Sequence, residues 1–341
     1  MSPRESLFAS LPRLLKLKTL VCLIAGPLLF AQPAAAWNGH GHRVIASIAF
    51  QELEPAIRLA LADRIRNHPR FDPDFAAQMP AQVKAGDDQM KAEWIFQQAA
   101  CWPDRARSLK GKDRKQFHHP TWHYINRPLY LRPEDKAVLG PLDLNLSTDP
   151  PDEQIEKMNV VQAIKFAELR VNRAIETTPK NDSLMICWLL HCYGDLHQPL
   201  HTTAMFSYSL LRTGCRGGNR ILTKQGGNLH SLWDGLLGKD TDFQKCRNEA
   251  IEMRASKALQ PVRGDSASTT DAVAIWDQSY ELCSDFAYAD EVRAHLIRLE
   301  DAGETEVAKL DLSENYLKVA GRVARFQAAR AGRRLSKVLE Q

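Results

Sequence analysis

Strand-like alternation is scarce in this 341-residue chain, and no internal repeat is found. Beyond residue 36 no apolar run reaches the ~20 residues that a membrane-spanning helix needs. These absences exclude a repeat array and a multi-span membrane protein. An excess of one charge is also missing. The first 36 residues carry four basic residues and one acid, so the remainder holds 41 Lys and Arg against 40 Asp and Glu. A nearly neutral body argues against holding nucleic acid through a broad basic surface. If the chain handles phosphates, the positive charge must come from outside the residue count, and metal ions are the obvious source. No residue type dominates either. A chain 44% hydrophobic and 25% charged, with 18 Gly and 18 Pro, is globular rather than disordered or collagen-like.

At the N-terminus, Arg4, Arg13, Lys16 and Lys18 precede an apolar stretch over 20–31, and Ala34-Ala35-Ala36 supplies a small-residue cleavage site. This is the layout of a secretory signal peptide over residues 1–36, too short in its apolar part for an anchor. The expected product is residues 37–341, a secreted or periplasmic, membrane-free chain beginning at Trp37. Six cysteines remain: Cys101, Cys187, Cys192, Cys215, Cys246 and Cys283. An even count in an oxidising compartment leads us to expect some disulfide bonding, with Cys215–Cys246, which bracket a Gly-rich loop, as the favoured pair. Cys187 and Cys192 read as well as buried helix residues.

From Trp37 onward the pattern is helical. Apolar residues recur at three- and four-residue spacings over 41–66, 88–100, 152–177, 183–197, 229–237, 268–298 and 313–339. Asp152 and Asp182 read as helix starts, Pro179 and Pro199 as stops. The segment 219–224 is the best strand candidate. Two loop regions stand out: 126–151 with five Pro, and 207–228 with two Gly-Gly-Asn runs. The expected fold is all-α, a single largely helical domain with Gly/Pro-rich loops. The Arg and Lys residues of its last helix are expected to form a solvated basic face.

The placement of the histidines carries the chemistry. On a helix, residues four apart share a face, so His-x-x-x-Asp aims an imidazole and a carboxylate at one point, as zinc requires. Three such pairs occur, His68/Asp72, His191/Asp195 and His230/Asp234. Pro69 and Pro73 interrupt the first, which is assigned to a surface turn. The other two lie in apolar segments, where an unpaired polar group is costly. Each, read alone, is also compatible with a buried His donating to a helix carboxylate. His201, beyond Pro199, is expected to swing back towards the site, whereas His197 reads as structural. His123 has a stronger setting than His118 or His119. His40 and His295 have no partner that the sequence names. Cleavage after Ala36 would expose the Trp37 α-amine, with an unperturbed pKa of ~8, so that amine and carbonyl could chelate an ion together with His42. The alternative is a capping turn with Trp37 merely packed.

Taken in order, Trp37…His42, Trp102-Pro103-Asp104, His123, His191…Asp195, His197-Gln198-Pro199-Leu200-His201 and His230…Asp234 resemble the secreted zinc nucleases of the fungal single-strand-specific and plant bifunctional type. The resemblance implies a helical fold related to zinc-dependent phospholipase C. It implies endonuclease activity on RNA and single-stranded DNA with 5′-phosphate products, 3′-nucleotidase activity on 3′-nucleotides, and action as a monomer. It also implies three Zn2+: one on Asp104, His123, His191 and Asp195; a close neighbour on Trp37, His42 and a shared Asp195; a third on His201, His230 and Asp234. Six positive charges would supply what the neutral chain lacks. Water between the close pair would attack phosphorus, Asp104 would orient it and assist as base, and the third ion would stabilise the departing 3′-oxygen.

Arg107 matches a basic family position and could clamp phosphate. Asn219 is a further phosphate contact, and Tyr124 a stacking ring that favours unpaired strands. Asn126 stands where the fungal enzymes carry Asp, so their base preference does not transfer. The alternative reading is a zinc-dependent phospholipase C-like phosphodiesterase. Those enzymes place a longer stretch between Trp and His and end the last pair with Glu; here the last acid is Asp234.

Overall fold

Helix α5 (Pro179–His197) is buried along almost its whole length, with fifteen successive residues from Ser183 to His197 all inaccessible or nearly so. A helix apolar all round belongs in the middle of a protein. In the computed structural model, which describes residues 37–259 and 269–341, the other elements gather around it. The helices that frame it are α1 (Gly39–Glu52), α2 (Pro55–Ile65), α3 (Asp88–Ala106), α4 (Val160–Val171), α6 (Leu229–Asp234), α7 (Phe243–Ala255), α8 (Ala272–Leu282), α9 (Asp290–Asp301) and α10 (Glu314–Leu339). Of these, α1, α2, α3, α4, α8 and α10 pack directly on α5. The protein is mainly α, as the sequence implies. The expected signal peptide lies outside the described residues. No helix among those described is long and apolar enough to cross a membrane.

Several helix limits differ from the periodicity, for local reasons. Pro55 starts a new helix and divides 41–66 in two. Asp152 starts nothing; α4 begins eight residues later, after Asn159, which forms a reciprocal capping box with Gln162. Pro179 is the first residue of α5 rather than a stop, with Thr178 as its cap. Over 268–298 the helix loosens into a π turn, Cys283–Ala287, before α9 begins. The basic face of α10 is solvated only in part: Lys318, Arg322 and Lys337 are exposed, but Arg330 and Arg334 are buried, and Arg334 Nη1 donates to His197 Nε2 at 2.9 Å. That contact closes α10 on α5.

Two short parallel strands position one edge of the site. β1 (Arg127–Tyr130) pairs in register with β2 (Thr203–Phe206), Arg127 opposite Thr203, and the crossover between them is formed by α4 and α5. The pairing extends upstream, where the Ile125 amide donates to His201 O at 2.8 Å. It therefore draws His123 and His201 together from 78 residues apart. β3 (Leu222–Thr223), inside the expected strand segment, pairs with β4 (Gly227–Asn228), beyond it, in a small antiparallel hairpin that leads into α6.

The expected Cys215–Cys246 disulfide is not formed. All six cysteines are free. Cys215 Sγ accepts from the amides of Met205 and Gly218 and pairs with Tyr288 Oη, whereas Cys246 lies on α7 in a separate apolar cluster. Cys187 and Cys192 are core residues of α5, and burial pushes both thiols well above the usual range. That makes them packing groups, not thiolates.

Candidate metal centre

His191 and Asp195 lie one turn apart on α5, and both are fully buried. His191 Nδ1 faces Ala100 O at 2.7 Å, near the end of α3, next to the Ala99 carbonyl that Pro103 leaves without its helical donor. Held by that carbonyl, Nε2 turns to Asp195 Oδ2 at 3.2 Å, His123 Nδ1 at 2.9 Å and Asp104 Oδ1 at 4.0 Å. His42, from the first turn of α1, stacks on His191 with ring centroids 4.0 Å apart and places Nε2 3.3 Å from Asp195 Oδ1. The approach depends on Gly194, since a Cβ there would lie 2.9 Å from His42 Nδ1. Asp195 thus turns one oxygen to His42 and the other to His123 and His191.

A second cluster forms where the end of α5 meets α6. His201 Nδ1 faces His123 O, and His230 Nδ1 faces Gly217 O at 2.6 Å. The two rings lie 4.7 Å apart, and His230 Nε2 is 3.6 Å from Asp234 Oδ2. Asp234 Oδ1 accepts from Gln198 Nε2 at 2.7 Å. The carbonyls of Ala100, His123 and Gly217, and the Gln198 amide, orient the ligand-type side chains. Carbonyls carry no residue-type signal in a sequence, so the motif pattern did not point to them.

Donor atoms lie within 4.8 Å of one another in three sets: His123, His191 and Asp195; His42, Asp104 and His191; and His201, His230 and Asp234. The third matches the sequence expectation. The first two contain the expected side chains, with Asp104 standing nearest His42 and His191. These residues fit divalent metal ions. Both nitrogens of His42, His123 Nε2, Asp195 Oδ1, His201 Nε2 and His230 Nε2 are buried without a hydrogen-bonding partner. A protein does not leave that many buried polar atoms unpaired unless something else satisfies them. Imidazole and carboxylate donors suit a borderline cation such as zinc.

Charge balance in the cleft agrees with this. Burial lowers His201 to about 3 and His230 to about 4, and it lowers His42 as well, so these rings present lone pairs rather than protons. Burial opposes charge on His191 too, but the carboxylates of Asp195 and Asp104 carry it up to about 9. Burial also opposes ionisation of Asp195, yet the surrounding imidazoles hold it well below the usual carboxylate range. Asp234 is pushed well above that range, by burial and by Asp104 and Asp195, despite the Gln198 bond. A cation would relieve its desolvation.

The remaining residues singled out in the sequence are less uniformly placed. Trp37 is fully buried and donates its indole N–H to Gly194 O at 3.0 Å, next to Asp195; Asn38 caps α1. Packing and capping are thus present at the segment expected to chelate. Arg107 Nη2 is 3.2 Å from Asp104 Oδ1, and its charge is felt at His230 and Asp234. Tyr124 follows His123 with its ring 38% exposed, and Asn126 is half-buried just beyond. Asn219 spends its amide on Arg216 O at 2.8 Å. His197 is structural, bonded to Tyr193 O and Arg334. His40 does have partners, Glu249 and Asp240 O. His68, assigned to a surface turn, is in a turn but buried, its ring 4.2 Å from that of Trp102.

Helices that bring together three largely buried His/Asp sets define a helical protein with a polynuclear candidate metal centre. The chain belongs to the S1/P1 Nuclease family, whose family model matches residues 37–341. It is a nuclease, a metal-dependent hydrolase acting on phosphodiester bonds. No curated protein matches the chain.

Proposed function

We propose that this nuclease cleaves RNA and single-stranded DNA to products with 5′-phosphate ends and also removes 3′-phosphates from nucleotides. The carrying observation is the convergence of three His/Asp sets in one cleft, with buried imidazole nitrogens left without hydrogen-bonding partners. Three zinc ions are the proposed occupants. Asp104, His123, His191 and Asp195 would hold one; Trp37, His42 and Asp195 a second; His201, His230 and Asp234 the third. In support, the family match begins at Trp37, and the Trp37 indole is tied to the residue before Asp195. This reading includes export and removal of residues 1–36, which frees the Trp37 amine.

Bound there, the ions would supply positive charge to a polyanionic substrate and activate water at neutral pH. The side chains do the rest. Asp104, part-exposed at the cleft, orients the attacking water and accepts its proton. Arg107, steered by Asp104, meets the charge that grows on the phosphate oxygens. Tyr124 offers its face to a base, which a duplex would hide. Asn126 both donates and accepts, so it can read a base edge in ways a carboxylate cannot. Asn219 adds a contact to phosphate.

The test is to purify the processed protein, measure its metals, and incubate it with RNA, single-stranded DNA, duplex DNA, a 3′-nucleotide and phosphatidylcholine. Three zinc per chain and cleavage of the unpaired polymers and the 3′-nucleotide are expected. Turnover of the lipid without nucleic-acid cleavage would reverse the reading.

A further inference from the structure

A stretch of uneven charge in the nearly neutral chain adjoins the metal centre. Residues 196–233 contain no Asp or Glu, yet Arg212, Arg216 and Arg220 all fall on the loop that follows β2. The loop is fastened from beneath. The Tyr208 amide donates to Asp135 Oδ1 at 2.9 Å, and Ser209 Oγ donates to Glu300 Oε1 at 2.5 Å. Those acids are occupied by the loop and by Arg132, and all three loop arginines remain exposed. None of the three bonds to a carboxylate among the described residues. Arg212 stacks 4.8 Å from the centre of the Tyr208 ring, which is itself 47% exposed. Arg220 Nη1 reaches Thr213 Oγ1 at 2.7 Å, which sets it beside Arg212.

Arg216 forms the end nearest the metal centre. It has a left-handed backbone, φ 54°, although it is not glycine, and such a conformation is strained for a residue that carries a β-carbon. The next carbonyl, Gly217 O, is the acceptor for His230 Nδ1. Across the cleft, the Arg216 charge is felt at the Tyr124 hydroxyl. An exposed guanidinium that bonds to no carboxylate among the described residues, on a turn that also holds a ligand-type histidine, is placed to meet a ligand.

We propose that residues 207–220 form a track for a single strand beyond the nucleotide in the cleft, with Arg216, Arg212 and Arg220 meeting successive phosphates and Tyr208 stacking an unpaired base. This rests on the functional reading above and extends it to polymer length. Cations along a backbone with an interleaved aromatic ring bind single strands without regard to sequence, because every phosphate is charged and every base has a face. The track gives long strands an advantage that a dinucleotide, filling only the cleft, does not receive.

The experiment compares the processed holoenzyme with an Arg212→Gln, Arg216→Asn, Arg220→Gln variant; Asn tolerates the left-handed backbone. The kcat/KM is measured on a 20-nucleotide single strand and on a dinucleotide across a salt series. The ratio of long to short substrate is expected to fall on the order of 10-fold, and the salt slope for the long strand to shrink by about 2, some 0.7 for each lost contact. An unchanged ratio and slope overturn the track and leave the functional reading intact. A wild-type protein that cleaves neither substrate overturns the functional reading and the track with it. Should the triple variant fail to fold, Arg212→Gln alone is expected to show about a third of the slope change, and its absence is equally decisive. Loss of binding to anionic phosphatidylglycerol vesicles with the strand kinetics unaltered would overturn the nucleic-acid assignment.

Discussion

Asp195 gives its two oxygens to different imidazoles, Oδ1 to His42 and Oδ2 to His123 and His191. A change that spares its shape but removes its charge therefore reaches two donor sets together. Asp195→Asn is expected to lose more than one zinc per molecule by elemental analysis, with activity falling on the order of 10²-fold or more. A single residue far from the cleft gives a pH signature of its own. Glu168 is pushed up to about 7 by burial, against the opposing hydrogen bond from Tyr193 Oη. Its folded-state pKa lies above the ordinary value of 4.5, so its contribution to stability is whole below about 4.5 and is lost as pH rises through about 7. Glu168→Gln keeps the acceptor and removes the titration. Its urea midpoint should match the wild type near pH 4.5 and exceed it at pH 8.

Among the elements, the turn from Arg216 to Gly218 joins backbone geometry to the metal centre, with three successive left-handed residues. At Gly217, φ 59°, an added Cβ would sit 2.3 Å from the Leu200 carbonyl oxygen, which belongs to backbone and cannot swing aside. Gly217→Ala is expected to cost more than the roughly 1–2 kcal/mol of the conformation alone and to pull the acceptor from His230, so zinc content and urea midpoint fall together. Sequence spacing revealed the elements unevenly. His191/Asp195 and His230/Asp234 were legible because a helix turns four-residue spacing into a shared face. Asp104 has no such partner nearby and was visible only through the resemblance, whereas His123 stood out from His118 and His119 by its apolar and aromatic neighbours. The meeting of Asp104 and His123 depends on strand pairing at β1–β2 and on the packing of α3 against α5, both set by contacts between distant segments. His68 was misjudged because its prolines do fix a turn, but packing on Trp102, not local chemistry, decides that the ring is buried. Arg334 was misjudged likewise: charge predicted solvent, and a buried imidazole acceptor on α5 supplied the alternative. The cysteines read as bridge partners by count, and their separation into different clusters is a tertiary fact.

For the whole molecule, the cleft joins α1, α3, α5 and α6, so ions bound there would tie together segments from 42 to 234. Binding that favours only the folded chain stabilises it by mass action. Chelation is expected to lower the melting temperature on the order of 10 °C, and re-addition of zinc to restore it, as followed by calorimetry. A melting point indifferent to chelator would mean the ions contribute nothing to the fold. The contact of α10 with α1 and α5, sealed by Arg334 on His197 and by Gln327 Nε2 on His197 O, bears on how the protein is made. In chain order α10 is the last helix described, yet it braces the helices that bear His42, His191 and Asp195. A ribosome delivers that brace only after every ligand-type residue has emerged. A chain that stops short of Arg334 is therefore expected to hold those three side chains on helices that lack their outer support.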